Sequence, residues 1–268
     1  MEKLELLDGH PPSWVDYVNK MVGGSRVPND EVVIVKNPTY LKKLSAVLTR
    51  TTTRTISNYL MWHVVKSKMS YLNHEAGKLL EKFNKEVEGI NSDPPRWKKC
   101  AKEVGFESYK DKSLRVVASS MYIQKYFMPE AKAEMLAMIG NIKSAFKKVV
   151  EEVDWMDQLT KSRALKKLEA MKNIIAYPDE LTNEDKVTEH HSGLVIKEGD
   201  FYGNSLRIAT WNRLFKHSRL RENVDKTDWR DNSLVPVVNA FYAKEKNAMI
   251  FPAGILQGVF FNQQEHIY

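Results

Sequence analysis

The sequence predicts a mainly α-helical chain: a large helical domain over residues 1–180, then an interdomain segment and the helix and edge strands that begin an α+β domain over 181–268. Three observations predict it. Apolar residues recur every three or four positions through most of the first 180 residues, the period of a helix with one buried face. Charge then thins, because 231–268 holds only Asp231, Lys244, Glu245, Lys246 and Glu265 in a chain that is 28% charged as a whole. Within that stretch two apolar runs flank a polar turn, the pattern of paired strands.

Val32-Val33-Ile34-Val35 is an apolar run suited to a short buried strand. It ends at Asn37-Pro38, where Asn can cap a helix and Pro fits its first turn. Tyr40, Leu41, Leu44, Val47 and Leu48 then share one face, and a second helix from near Arg54 is expected to carry Ile56, Tyr59, Leu60 and Val64 inward. Asp93-Pro94-Pro95 breaks the helical pattern ahead of Trp97 and Cys100. Leu136, Ile139, Ile142, Phe146, Val149 and Val153 mark one long amphipathic helix, with Lys143, Lys147 and Lys148 near its wet side. Asp157 is placed to cap a further helix through Leu165, Leu168, Met171 and Ile175, which Tyr177-Pro178-Asp179 ends. From 180 to 200 the chain is polar and loop-like around Glu189-His190-His191-Ser192-Gly193, the expected boundary. A helix over 206–215 leads to strands at 235–242 and 248–251, joined through Lys244-Glu245-Lys246-Asn247, with Pro236 holding the start of the first strand at an edge.

The 268 residues are 43% hydrophobic, enough to build a core, which excludes collagen-like, low-complexity and wholly disordered classes. The net charge of +7 is spread over stretches charged in both signs rather than gathered on one stripe. That is a solvated basic surface, and no nucleic-acid partner is expected. Residues 1–8 carry Glu2, Glu5 and Asp8 and no apolar run of signal length, so no targeting segment is visible. The uncharged stretch 247–264 approaches the length of a membrane span, but Pro252, Gly254 and Gly258 break it and its Asn and Gln side chains are costly in hydrocarbon. No transmembrane segment is expected. The single cysteine, Cys100, cannot close an internal disulfide, which fits either a reducing compartment or a partner on sequence outside this chain.

Catalytic motifs are missing. No two of His10, His63, His74, His190, His191, His217 and His266 stand four apart, so the chain has no H-E-x-x-H zinc helix. In His74-Glu75-Ala76-Gly77-Lys78, Lys stands where a second ligand would be, and His74 reads as a surface helix residue. His190 and His191 read as exposed loop residues beside Glu189. No G-x-x-x-x-G-K-[ST], G-x-G-x-x-G or G-x-S-x-G pattern occurs, so no catalytic residue, metal ligand or cofactor is assigned to this chain. Asn239 stands apart. On an exposed strand its one side chain can pair with both polar groups of another chain's peptide unit, whereas in a buried hairpin it would be satisfied internally.

Val238-Asn239-Ala240-Phe241-Tyr242, then Asn247 through Phe251-Pro252-Ala253-Gly254-Ile255-Leu256-Gln257, then Phe260-Phe261, resembles the segment just upstream of the zinc motif in the neprilysin and endothelin-converting-enzyme family of zinc metalloendopeptidases. The likeness extends back over nearly the whole chain. Trp14 and the 32–48 stretch, Ile56-Ser57-Asn58-Tyr59-Leu60-Met61-Trp62, Pro95-Arg96-Trp97-Lys98-Lys99-Cys100, Val153-Asp154-Trp155-Met156-Asp157 and Asp228-Trp229 are each similar to family motifs.

The resemblance implies a large helical domain capping a thermolysin-like catalytic domain, with a peptide substrate between them. It implies that Asn239 and Ala240 hold the substrate backbone, adding the peptide to a sheet edge, and that Ile255 and Phe260 line an apolar pocket for the residue after the scissile bond. Cleavage on the amino side of hydrophobic residues follows, a choice such side chains make by about 1–3 kcal/mol per methylene. It further implies that Cys100 pairs with a cysteine outside this chain, and that the parent protein stands on the extracellular face of the plasma membrane or is secreted. Gly258-Val259, where relatives often have Pro, departs from the pattern and alters the expected pocket wall. The larger departure is that the family's zinc ligands, general base and transition-state Arg and His all follow Phe-Phe, and this chain carries none of them. The expectation is a truncated or internal portion of such a peptidase, inactive alone, with zinc belonging to full-length relatives. The alternative is a catalytically dead peptide-binding protein of the same fold.

A strand pair cut from the rest of its sheet leaves 248–261 as an exposed apolar patch, so the isolated chain is expected to aggregate. A monodisperse elution profile with a cooperative thermal transition would contradict this.

Overall fold

The computed structural model describes residues 14–23, 27–90, 94–106 and 113–262. Residues 1–8, His10, Asp93, Gln263, Gln264 and His266, read above from sequence, lie outside them. In chain order the helices are α1 (Trp14–Val22), α2 (Pro38–Arg50), α3 (Thr53–Lys68), α4 (His74–Glu88), α5 (Arg96–Ala101), α6 (Ser113–Tyr126), α7 (Pro129–Glu152), α8 (Gln158–Glu169), α9 (Glu184–His190) and α10 (Phe201–Ser218). The strands are β1 (Lys172–Ala176), β2 (Phe241–Ala243) and β3 (Ala248–Pro252). The chain is thus mainly α with a small sheet. Among the described residues no helix is long and apolar enough to cross a membrane.

These elements form two compact units, each made from two lengths of chain: Met1–Asp93 with Leu194–Glu222, and Pro94–Gly193 with Asn223–Tyr268. The chain crosses between the two units three times, at 93/94, 193/194 and 222/223.

In the first unit, Asn37 caps α2 by accepting from the Tyr40 amide, Thr52 caps α3 and Asn73 caps α4. Helices α3 and α4 meet through the Trp62 and Phe83 rings, 5.4 Å apart, and the Lys66–Glu88 ion pair at 2.8 Å. Helix α10 meets α1, where Arg213 donates to the Lys20 and Met21 carbonyls. Asn19 clasps Val27 through both polar groups of its backbone, at 3.1 and 2.6 Å. Two expectations fail here. The run 32–35 is no buried strand: it carries no regular secondary structure, and Ile34 is 93% exposed. The inward face expected of α3 is open too, since Tyr59, Leu60 and Val64 are exposed, as are Tyr40, Val47 and Leu48 of α2. Helical periodicity shows which face is apolar, but burial also requires a second layer against it.

The second unit holds the core. Val116, Ile123, Phe127, Ala131, Ile139, Ile175, Leu181, Val187, Val235, Ala253 and Leu256 close on one another from α6, α7, β1, α9 and the segments beside β2 and β3. Asp157 caps α8, and the amide and hydroxyl of Thr160 hold its carboxyl below the usual carboxylate range. The helix expected to run on to Ile175 stops at Glu169. Residues Lys172–Ala176 instead form β1, because Ile174-Ile175 can pair in parallel with Ile250-Phe251 of β3 and sink Ile175 into the core. Ala176 ends that strand with φ +62°, turning the chain into Tyr177-Pro178. In α7 only Ala131, Ile139 and Val150 are buried, while Leu136, Ile142, Phe146 and Val149 stay exposed. Lys143, expected on its wet side, donates to the Met171 carbonyl at 2.9 Å. The loop expected over 180–200 contains α9, which Asn183 starts by accepting from Lys186.

Leu181 is fully buried at the centre of this core. Leu181→Ala is expected to cost about 2–5 kcal/mol, read as a shift of the urea midpoint at unchanged slope.

Candidate functional site

The sheet order is β1-β3-β2, with β1 parallel and β2 antiparallel to β3, so β2 forms one edge among the described strands. Asn239 and Ala240 stand immediately before β2, and both are exposed. Asn239 Oδ1 accepts from the Ala240 amide at 2.8 Å, a local bond that engages the oxygen of an otherwise exposed side chain. A buried hairpin with Asn239 satisfied inside is therefore not what forms. The strand expected from 235 begins only at Phe241. The cause is local: Val235 is fully buried, and its carbonyl accepts from the Val237 amide at 2.9 Å and the Gly254 amide at 3.0 Å. The segment before Asn239 thus packs on the turn after β3 instead of continuing the ladder.

That packing needs Gly254. A Cβ there would lie 2.7 Å from the backbone N, C and O of Val237, so only glycine admits the approach. The 3₁₀ turn Ala253–Ile255 follows β3 and places Ile255 half-buried against the core. Phe260 is 67% exposed, while Phe261 packs on the core. Ile255 and Phe260 thus sit in unlike surroundings.

The hairpin is pinned by Asn247, whose φ of +47° closes the turn. Its carbonyl accepts from the Lys172 amide, its Nδ2 donates to the Lys167 carbonyl and its Oδ1 accepts from the Tyr242 hydroxyl, each at 2.9 Å. One side chain therefore ties β3, β2 and the end of α8.

A buried polar network that sequence reading missed lies beneath the segments flanking the edge. Arg115 Nε donates to Ser233 Oγ at 3.1 Å and its guanidinium to the Arg230 carbonyl at 3.2 Å. Ser119 Oγ donates to the Ser233 carbonyl at 2.7 Å. Asp228, 4% exposed, takes a two-pronged bond from Arg230, both contacts at 2.8 Å. Gln257 Nε2 donates to the Tyr122 hydroxyl, and burial pushes the Tyr122 phenol upward against the opposing effect of that bond. The signal was present in the spacing: Arg115, Ser119 and Tyr122 recur at i, i+4, i+7 among apolar neighbours.

His190 is not an exposed loop residue: it ends α9, is 8% exposed, and its ring lies 5.7 Å from Trp229 and 4.8 Å from His191. Burial follows from α9 forming where a loop was expected. Cys100 is exposed on α5 with a free thiol. Among the described residues no three His, Cys, Asp or Glu side chains gather so as to hold a metal ion. The described donors therefore do not fit a zinc centre.

Comparison with known proteins shows what the chain is similar to. The profile described as peptidase family M13 matches residues 2–178. Neprilysin-2 of Drosophila melanogaster is 32% identical over 262 residues, covering 95% of this chain and 34% of that protein. Neprilysin of Homo sapiens is 30% identical over 262 residues, covering 97% of this chain and 34% of its own length. The chain thus spans about a third of the length of the curated relatives it matches. Among solved structures, the Mycobacterium tuberculosis zinc metalloprotease Zmp1 in complex with inhibitor superposes with a TM-score of 0.73 at 25% identity, over 95% of this chain and 36% of that one.

Gly254→Ala is expected to lower stability by about 1–3 kcal/mol and to loosen the backbone at 235–240, because the new methyl meets backbone that cannot rotate away. Urea unfolding with amide exchange at those residues measures both.

Proposed function

This chain belongs to peptidase family M13, and from that premise we propose that it is the peptide-holding portion of a neprilysin-like zinc metalloendopeptidase. A substrate lies extended along Asn239 and Ala240, pairing with the side chain of the first and the backbone of the second. Ile255 and Phe260 flank the hydrophobic residue on whose amino side the whole peptidase cuts. The observation that carries this reading is the exposed Asn239–Ala240 pair next to the edge strand β2. Asn19 shows within the same chain that one asparagine side chain can take both polar groups of another residue's backbone, those of Val27, at once.

In a zinc metalloendopeptidase hydrolysis uses a metal-activated water, and no H-E-x-x-H pair occurs in these 268 residues. The chain therefore binds peptide without cutting it, which is also the behaviour of a catalytically dead relative of the same fold. In the whole peptidase, residues 1–180 act as the helical capping domain and 181–268 lead into the catalytic domain. Exposed Cys100 joins a cysteine outside this chain, consistent with an extracellular or membrane-anchored parent.

A fluorescein-labelled pentapeptide with a central Phe is expected to bind the chain, and Asn239→Ala to weaken it about tenfold through the loss of two backbone hydrogen bonds. Fluorescence anisotropy measures this, and equal affinity of the variant would overturn the reading. With zinc added, no chelator-sensitive cleavage of the same peptide is expected.

A further inference from the structure

Arg115, Ser119 and Tyr122 lie four and three residues apart on α6, so they fall on one helical face. That face also carries fully buried Val116 and buried Ile123, and polar groups among such neighbours are costly unless each is bonded. All three are bonded, and these bonds reach the segments that flank the candidate site. Arg115 and Ser119 take hold of Ser233 and the Arg230 carbonyl, just before Val235 and Asn239. Tyr122 takes hold of Gln257, just after Ile255. Gln257 also reaches back to the Ala253 carbonyl at 3.4 Å, closing its own turn. Between the two grips, the Gly254 amide bonds the Val235 carbonyl, so the two flanking segments move as one piece.

We propose that this polar stripe of α6 is a positioning device for the peptide-holding edge, and that the Tyr122 hydroxyl, acting through Gln257, sets the preference for a bulky apolar residue. The inference rests on the peptide-holding reading above. Without the Tyr122–Gln257 bond the turn bearing Ile255 keeps its apolar packing but loses its fixed distance from α6. A small side chain then binds as before, while a large one no longer meets a fixed surface. Tyr122 and Gln257 touch no substrate; both are positioning residues.

The test uses the full chain, as wild type, Tyr122→Phe, Gln257→Met and the double variant, with two pentapeptides that differ only in a central Phe or Ala. The wild type is expected to prefer the Phe peptide by about tenfold, and Tyr122→Phe to reduce that to about twofold by weakening the Phe peptide alone. The double variant is expected to match either single one, because the two residues act through one bond. Amide exchange without peptide gives a second readout: residues 253–257 exchange about fivefold faster in Tyr122→Phe while β3 is unchanged. Equal weakening of both peptides, an unchanged preference, or unchanged exchange at 253–257 would overturn the proposal. If the wild type binds neither peptide, the peptide-holding reading fails by itself, and the exchange measurement still decides whether Tyr122 fixes the turn.

Discussion

The parallel pairing of β1 with β3 is the constraint on which the second unit depends. It joins residues 172–176 to residues 248–252 across a long loop of chain, and the entropy of closing that loop must be offset by what the pairing buries. What it buries is Ile175 and Ala176 from one strand and Ala248 and Pro252 from the other, with Leu181, Val235 and Leu256 completing the contact. Every later feature takes its place from this. Asn247 can bond Lys172 and Lys167 only because β1 lies beside it, and β3 is the central strand because β1 pairs on the side away from β2.

Around this pairing the chain separates packing from holding. Apolar side chains fill the centre, but the segments that flank the edge are fixed by hydrogen bonds with direction: Ser119 to the Ser233 carbonyl, Arg115 to Ser233 and Arg230, Gly254 to the Val235 carbonyl. Apolar contact tolerates sliding by a fraction of a side chain, whereas a buried hydrogen bond does not, since a missed partner leaves a desolvated polar group. The segments that lead to Asn239 and Ile255 are therefore held by polar ties where a plain core would use methyl groups.

The first unit follows a different economy. Its helices are well capped, by Asn37, Thr52, Asn73 and Asp200, yet α2, α3 and α4 bury no residue completely. Caps and ion pairs such as Lys66–Glu88 settle where a helix starts and how two helices lie, at about 1 kcal/mol or less for each exposed pair. They do not substitute for a core, and the apolar faces of Tyr59, Leu60 and Val64 remain available.

Local chemistry was legible from the sequence alone. The caps at Asn37 and Asp157, the long α7 and the turn ending at Asn247 rest on interactions between residues a few positions apart, and a linear reading contains those; whether Asn239 lies exposed or inside a hairpin stayed open until the sheet order was known. The family could be read because motifs such as Phe251-Pro252-Ala253-Gly254 stand contiguous in the sequence, although the demand at Gly254 comes from the backbone of Val237, seventeen residues earlier. What the sequence could not settle was whatever depends on a distant partner. Met171 and Ile175 continue a helical period, yet 172–176 is a strand because β3 offers it a ladder seventy-odd residues away. Val32 to Val35 have the composition of a strand and remain unpaired, because no such ladder reaches them among the described residues. His190 is buried and Phe260 exposed against their local appearance, and Tyr122 meets Gln257 only once α6 lies under the turn. Periodicity records what each segment can bury, and tertiary structure alone decides which segments find something to be buried against.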